Sequence, residues 1–175
     1  MKKLAIWAPF VLFLIFVGVV ARGLIQPGDR VVRSALVGKP LPAFTLPAAT
    51  KGVRGLNTAD LATGQPRLLN IFASWCIPCI AEAPVLLELK AKGVAIDAIA
   101  IRDTPEDVAR FLARNGNPYQ RIGSDVTSAV QLALGSSGVP ESYVVDGKGM
   151  IRYQHVGDIR HEDVPMILDQ LEAAR

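Results

Sequence analysis

Cysteine is scarce in this chain, with two among 175 residues, at positions 76 and 79. A structural staple gains stability with the length of the loop it closes, so a two-residue gap gains little that way. Histidine is equally scarce. A zinc site built on the cysteines would need two further ligands, and His155 and His161 lie more than 75 residues away, a poor set. Basic runs are absent too. Setting aside Lys2 and Lys3, the 19 basic and 16 acidic residues become 17 against 16, a net of +1. A near-neutral domain has no field for gathering phosphate backbones, which argues against a nucleic-acid partner. No internal repeat and no low-complexity segment is present.

Charge is missing from one more place. Leu4 to Ala21 is an 18-residue run without a charged side chain, preceded by Lys2 and Lys3 and followed by Arg22. As a helix it would span about 27 Å, close to the ~30 Å hydrocarbon core of a bilayer. A signal peptide would have a shorter apolar run and a small-residue cleavage site, for which Val19-Val20-Ala21 qualifies. The length favours an uncleaved transmembrane anchor. In either case residues 1–3 form a cytoplasmic tail, and everything after Arg22 is exported. Residues 22–37 then read as a tether and 38–175 as one compact domain.

Within that domain, Leu41-Pro-Ala-Phe-Thr-Leu-Pro47 reads as an extended entry segment. Leu68–Phe72 suits a buried strand and leads through Ala73-Ser-Trp to Cys76, where a helix runs to about Ala91. Val94–Ile101 reads as the next strand. Thr104 caps a helix with Pro105 in its first position and acids in its first turn, ending near Asn115-Gly116. A weaker helix covers Val126–Leu134. Ser142–Val145 and Met150–Gln154 flank Asp146-Gly-Lys-Gly149 as a hairpin, and His161–Ala174 closes the chain as an amphipathic helix. This order predicts an α/β fold, a mixed sheet with helices on both faces.

A cycling dithiol needs one sulfur that becomes a thiolate and a shielded one that resolves the mixed disulfide. In an exported chain a close cysteine pair points to redox chemistry. Placed at a helix N-terminus, Cys76 has backbone N–H groups and the macrodipole to stabilise its negative charge. Cys79 lies one turn further in. Pro78 is tolerated in the first turn because its missing N–H would have no partner there, whereas Pro84 sits deeper and should kink the helix.

Trp75-Cys-Ile-Pro-Cys79, with Pro84 five positions on, resembles the active site of the thioredoxin family. Val139-Pro140 matches that family's second landmark, a cis-proline packed opposite the cysteines. The resemblance implies that the Val139 backbone pairs with an extended substrate, in the manner of strand addition. Three stretches more closely resemble the CcmG/DsbE branch, the membrane-anchored thioredoxin-like proteins of cytochrome c maturation. They are Leu69-Asn-Ile-Phe-Ala-Ser-Trp-Cys-Ile-Pro-Cys-Ile-Ala-Glu82, Gly138-Val-Pro-Glu-Ser-Tyr-Val-Val-Asp146 and Gly149-Met-Ile-Arg-Tyr-Gln-His-Val-Gly157. The branch usually has threonine where Ser142 stands, which keeps the hydroxyl.

Thioredoxins commonly carry a buried aspartate six residues before the first cysteine; Asn70 stands there and cannot take the resolving thiol's proton. The branch has acids elsewhere near the dithiol, matched by Glu82, three residues after Cys79, and Glu141, which the fold is expected to bring beside the cysteines. A carboxylate there disfavours the thiolate, and Ile77-Pro78 supplies no cation to favour it, so the expected direction is reduction. The resemblance implies a DsbD/CcdA-type membrane thiol reductase as electron donor. The implied acceptors are apocytochrome c or a CcmH-like maturation protein. The setting is a single-pass inner-membrane protein with its C-terminal domain in the periplasm. No metal and no cofactor is expected, and Ile80 after Cys79 breaks any Cys-x-x-Cys-His haem motif. The alternatives are a general thiol oxidase or isomerase, and a redox-silent apocytochrome-binding module. A peroxidase is a further one, because Leu41-Pro-Ala-Phe-Thr-Leu resembles the start of peroxiredoxins, although Ala73 replaces the hydroxyl residue usual three before their nucleophile.

Overall fold

The structure is a computed structural model that describes residues 2–25 and 35–175; in the first stretch, side chains are described at Trp7 and from Pro9 to Gly23. The chain divides into two compact units, Met1–Val31 and Val32–Arg175. Helix α1 (Lys2–Ile25) forms the first and carries Pro9 inside it. Among the described residues no helix is long and apolar enough to cross a membrane. Much of the expected tether and Met1 of the expected tail lie outside the described residues, while Arg22 to Ile25 belong to the helix.

The second unit opens with a short hairpin, β1 (Thr45–Leu46) paired antiparallel with β2 (Leu56–Asn57), followed by a 3-10 turn. Then come β3 (Arg67–Phe72), α2 (Ile77–Ala91), β4 (Ile96–Ile101), α3 (Pro105–Asn115) and β5 (Ile122–Asp125). The chain ends with α4 (Ala129–Ala133), β6 (Glu141–Val145), β7 (Ile151–Val156), a second 3-10 turn and α5 (Val164–Ala173). The five-stranded sheet has the order β5-β4-β3-β6-β7, with β3, β4 and β5 parallel and β6 and β7 antiparallel to their neighbours. Strands β3 and β4 are buried along their whole length, which is why they read as apolar runs without alternation.

Several elements differ from the sequence reading, among them the short β2 and the 3-10 turn after it. Strand β5 was not expected, because Ile122-Gly-Ser-Asp125 has only one large apolar side chain. Its Gly123 is needed for a close approach: a Cβ there would lie 2.8 Å from the Leu46 Cβ of the hairpin packed above it. The weak helix is confined to Ala129–Ala133, because a left-handed Ser128 lies in its expected first turn. The last helix begins at Val164, after a 3-10 turn at His161–Asp163.

Alternation along β3 sorts the two faces of the sheet. Asn70 and Phe72 face α2 and α3: Phe72 lies 5.1 Å from the rings of both Phe111 and Tyr119, measured between centroids. Ile71 and its register partner Glu141 face the other way, toward the segment after α4, where the Tyr143 hydroxyl reaches the Leu134 carbonyl. The C-terminal ends of β3, β4 and β5 and the start of β6 therefore meet at one edge, where Cys76 and Pro140 lie.

Candidate active site

Cys76 and Cys79 are joined by a disulfide, with their Cα atoms 5.2 Å apart. Cys76 is the extended N-cap of α2. Its sulfur accepts the backbone N–H of Cys79 at 3.1 Å, so a free amide of the first turn points at the atom that would carry charge as a thiolate. Both cysteines are largely covered, Cys76 at 5% exposure and Cys79 at 1%, while Trp75 and Ile77 beside them stand in solvent. The asymmetry suits one attacking and one shielded sulfur. Pro78 lies in the first turn of α2, as expected.

The Val139–Pro140 bond is cis, and Pro140 is buried. Because Glu141 pairs with Ile71, Pro140 lies beside Phe72, at the end of the strand from which the cysteine loop departs. The Pro140 carbonyl accepts from Gly157 N–H at 3.0 Å, which leaves the cis-proline loop tied to β7.

A buried polar network centred on Asn70 occupies the α2 side of the sheet. Asn70 donates to Glu82 Oε1 and to Ser142 Oγ, both at 3.0 Å, and Tyr119 donates its hydroxyl to Asn70 Oδ1 at 2.9 Å. The second carboxylate oxygen, Glu82 Oε2, accepts the Ile159 N–H at 3.1 Å. Glu82 is 1% exposed, one turn beyond Cys79 on the buried side of α2. Burial pushes its pKa up from 4.5 to about 7, against the lowering effect of the Ile159 and Asn70 hydrogen bonds, with Asp158 adding a small upward push. Burial also raises the Tyr119 hydroxyl well above its ordinary value, and the Glu82 charge adds to this, so it remains a donor.

Glu141 is buried at the start of β6, directly after the cis-proline. It points to the opposite face from Asn70 and Glu82. There its carboxylate accepts from the Ser137 N–H at 2.9 Å, the Ser137 hydroxyl at 2.8 Å, the Tyr143 hydroxyl at 3.0 Å and Gln154 Nε2 at 3.2 Å. The reason is strand alternation: Glu141 and Ser142 are consecutive in β6, so they cannot share a face. Its partners make it an anchor of the segment leading into the cis-proline.

Sequence reasoning missed Asp103. At the end of β4 its carboxylate accepts both the Ser74 N–H (2.8 Å) and the Ser74 hydroxyl (2.6 Å), clamping the turn two residues before Cys76. A weak signal existed: an acid next to the expected cap Thr104 reads as helix-start chemistry, which hides its second use. Asp103→Ala is expected to destabilise the oxidised protein by about 1–3 kcal/mol in urea unfolding, since two charge-assisted hydrogen bonds are lost. Asp103→Asn, which keeps an acceptor, should lose less.

Comparison with known proteins follows the same lines. The Redoxin family model matches residues 36–171. The thiol:disulfide interchange protein DsbE of Pseudomonas fluorescens biotype C is 41% identical over 160 residues, covering 91% of this chain and 88% of that protein. HelX of Rhodobacter capsulatus, also named a thiol:disulfide interchange protein, is 36% identical over 174 residues, covering 99% and 98%. A crystal structure from Chlorobium tepidum described as a thiol:disulfide interchange protein DsbE superposes with a TM-score of 0.66 at 30% identity. It covers 79% of this chain and 96% of that one.

Proposed function

The chain belongs to the redoxin family and, within it, to the DsbE/HelX thiol:disulfide interchange proteins, and from that premise we propose that it reduces disulfides of apocytochrome c, or of a CcmH-like maturation partner, in the periplasm. The observation that carries the reading is the shielded Cys79 with a buried carboxylate, Glu82, one turn beyond it. In the reduced protein the Cys76 thiolate attacks the acceptor disulfide, and one acceptor sulfur leaves as a thiolate that takes up a proton from solvent. Cys79 then gives its proton to the Glu82 carboxylate and attacks Cys76 Sγ. The second acceptor sulfur departs as a thiolate and is protonated as Glu82 releases the proton it took, and the Cys76–Cys79 disulfide remains. Two electrons and two protons pass to the acceptor, and a DsbD/CcdA-type membrane reductase restores the dithiol.

Residues 4–21 serve as the uncleaved inner-membrane anchor in this reading and 22–37 as the tether of a domain spanning 38–175. The support is the charge-free run from Leu4 to Ala21 between Lys3 and Arg22, on a backbone helical from Lys2 to Ile25. Tethering raises the effective concentration of membrane-bound partners. Val139 offers its backbone, and Trp75 its exposed ring, to the acceptor chain.

Equilibration with glutathione tests the direction. The expected potential lies nearer the ~−270 mV of thioredoxin than the ~−120 mV of DsbA, because Ile77 and Pro78 place no cation beside Cys76 and the nearby buried side chain is an acid. A value near the oxidising end would replace the reductant by a general oxidase or isomerase.

A further inference from the structure

A groove of about 520 Å³ lies beside the dithiol, between the start of α2 and the outer face of α3. Trp75, Ile80 and Phe111 give it an apolar lining, while Arg110 and Arg114 supply charge at its rim. Arg110 is paired with Asp107 one turn earlier. Arg114 is exposed and makes no ion pair or hydrogen bond among the described residues. The groove thus combines an apolar floor with one uncompensated positive charge.

Its place in the fold matters as much as its lining. In the order β5-β4-β3-β6-β7, the cysteine loop leaves β3 with the cis-proline at the start of β6 on one side and the β4–α3 connection on the other. A chain held along Val139 and crossing Cys76 therefore continues over Trp75 toward α3. We propose that this groove receives the part of the acceptor polypeptide that flanks its reactive cysteine, and that Arg114 selects an acidic side chain there. The inference rests on Cys76 being the sulfur that meets the acceptor; it adds a specificity-determining residue to that encounter.

The test uses the full chain in detergent, carrying Cys79→Ala so that reaction stops at the mixed disulfide. Its partners are short peptides whose single cysteine is blocked as a disulfide with a chromogenic thiol. Glu, Gln or Lys is placed within three residues on either side of that cysteine. Attack of the Cys76 thiolate joins it to the peptide cysteine and releases the chromogenic thiol, giving a second-order rate constant. On one side of the cysteine, the Glu peptide is expected to react about three- to fivefold faster than the Gln peptide at low salt, the range of an exposed ion pair. The advantage should fade at about 1 M salt, as surface charges are screened. Arg114→Gln should remove it, and Arg114→Glu should reverse it in favour of Lys. Equal rates for Glu and Gln peptides, or a preference untouched by Arg114→Glu, would overturn the groove assignment and leave exchange at Cys76 standing. If no peptide reacted at all, the role of Cys76 and the groove assignment would fall together.

Discussion

Cys76→Ser is expected to abolish thiol–disulfide interchange, a loss of at least about a thousandfold, while Cys79→Ala keeps the first step and stops at a covalent adduct. The contrast follows from the positions of the two sulfurs. Cys76 caps α2, where the Cys79 N–H already points at its Sγ and free first-turn amides favour a thiolate. A serine hydroxyl in that place does not ionise near neutral pH and forms no disulfide. Cys79 is 1% exposed and meets only a sulfur already bound to Cys76. Insulin reduction measures the first loss, and mass spectrometry of the trapped partner measures the second. A Cys76→Ser variant that still supported cytochrome c maturation would favour a redox-silent binding module.

Glu82→Gln carries the second large effect. The wild-type carboxyl titrates at about 7, so at neutral pH and above it is the acceptor for the Cys79 proton. Gln removes that acceptor, and resolution of the mixed disulfide should slow about a hundredfold, the lower end of general acid–base contributions. A pH inflection near 7 in the wild-type resolution rate should vanish in the variant. Stability gives an independent reading. With the folded pKa raised, the folded protein holds the proton more tightly than the unfolded chain does. Stability is then full below pH 4.5, falls as pH rises through about 7, and is level above that, with a total loss of about 3 kcal/mol. The Gln variant should lack this slope in urea unfolding measured across that range. A rate profile with its inflection intact in Glu82→Gln would reduce the residue to a structural one.

The buried network around Glu82 also shows where sequence reading reached its limit. Asn70 was legible as a departure from the thioredoxin pattern, and Glu82 as an acid one turn from Cys79. That the two share a hydrogen bond, with Tyr119 and Ser142 also bonded to Asn70, depends on strands and loops as far as 72 residues apart in sequence. No local pattern encodes that pairing. Glu141 makes the same point in reverse: adjacent in sequence to the cis-proline, it is turned to the other face of the sheet by the pleat.

What the sequence determined by itself were the features with short range. The cap and prolines of α2 and α3, the mostly apolar strands β3 and β4, the turn at Asp146–Gly149 and the reactive pair are all written within a few neighbouring residues. Tertiary structure alone decided the rest. It made Ile122–Asp125 an edge strand because the β1–β2 hairpin packs over Gly123, and it placed Asp103 on Ser74. It also chose which carboxyl lies beneath the dithiol. The reason is physical: capping, turn chemistry and hydrophobic periodicity act along the chain, whereas the partner of a buried polar group is fixed by register and by which face of the sheet a helix covers.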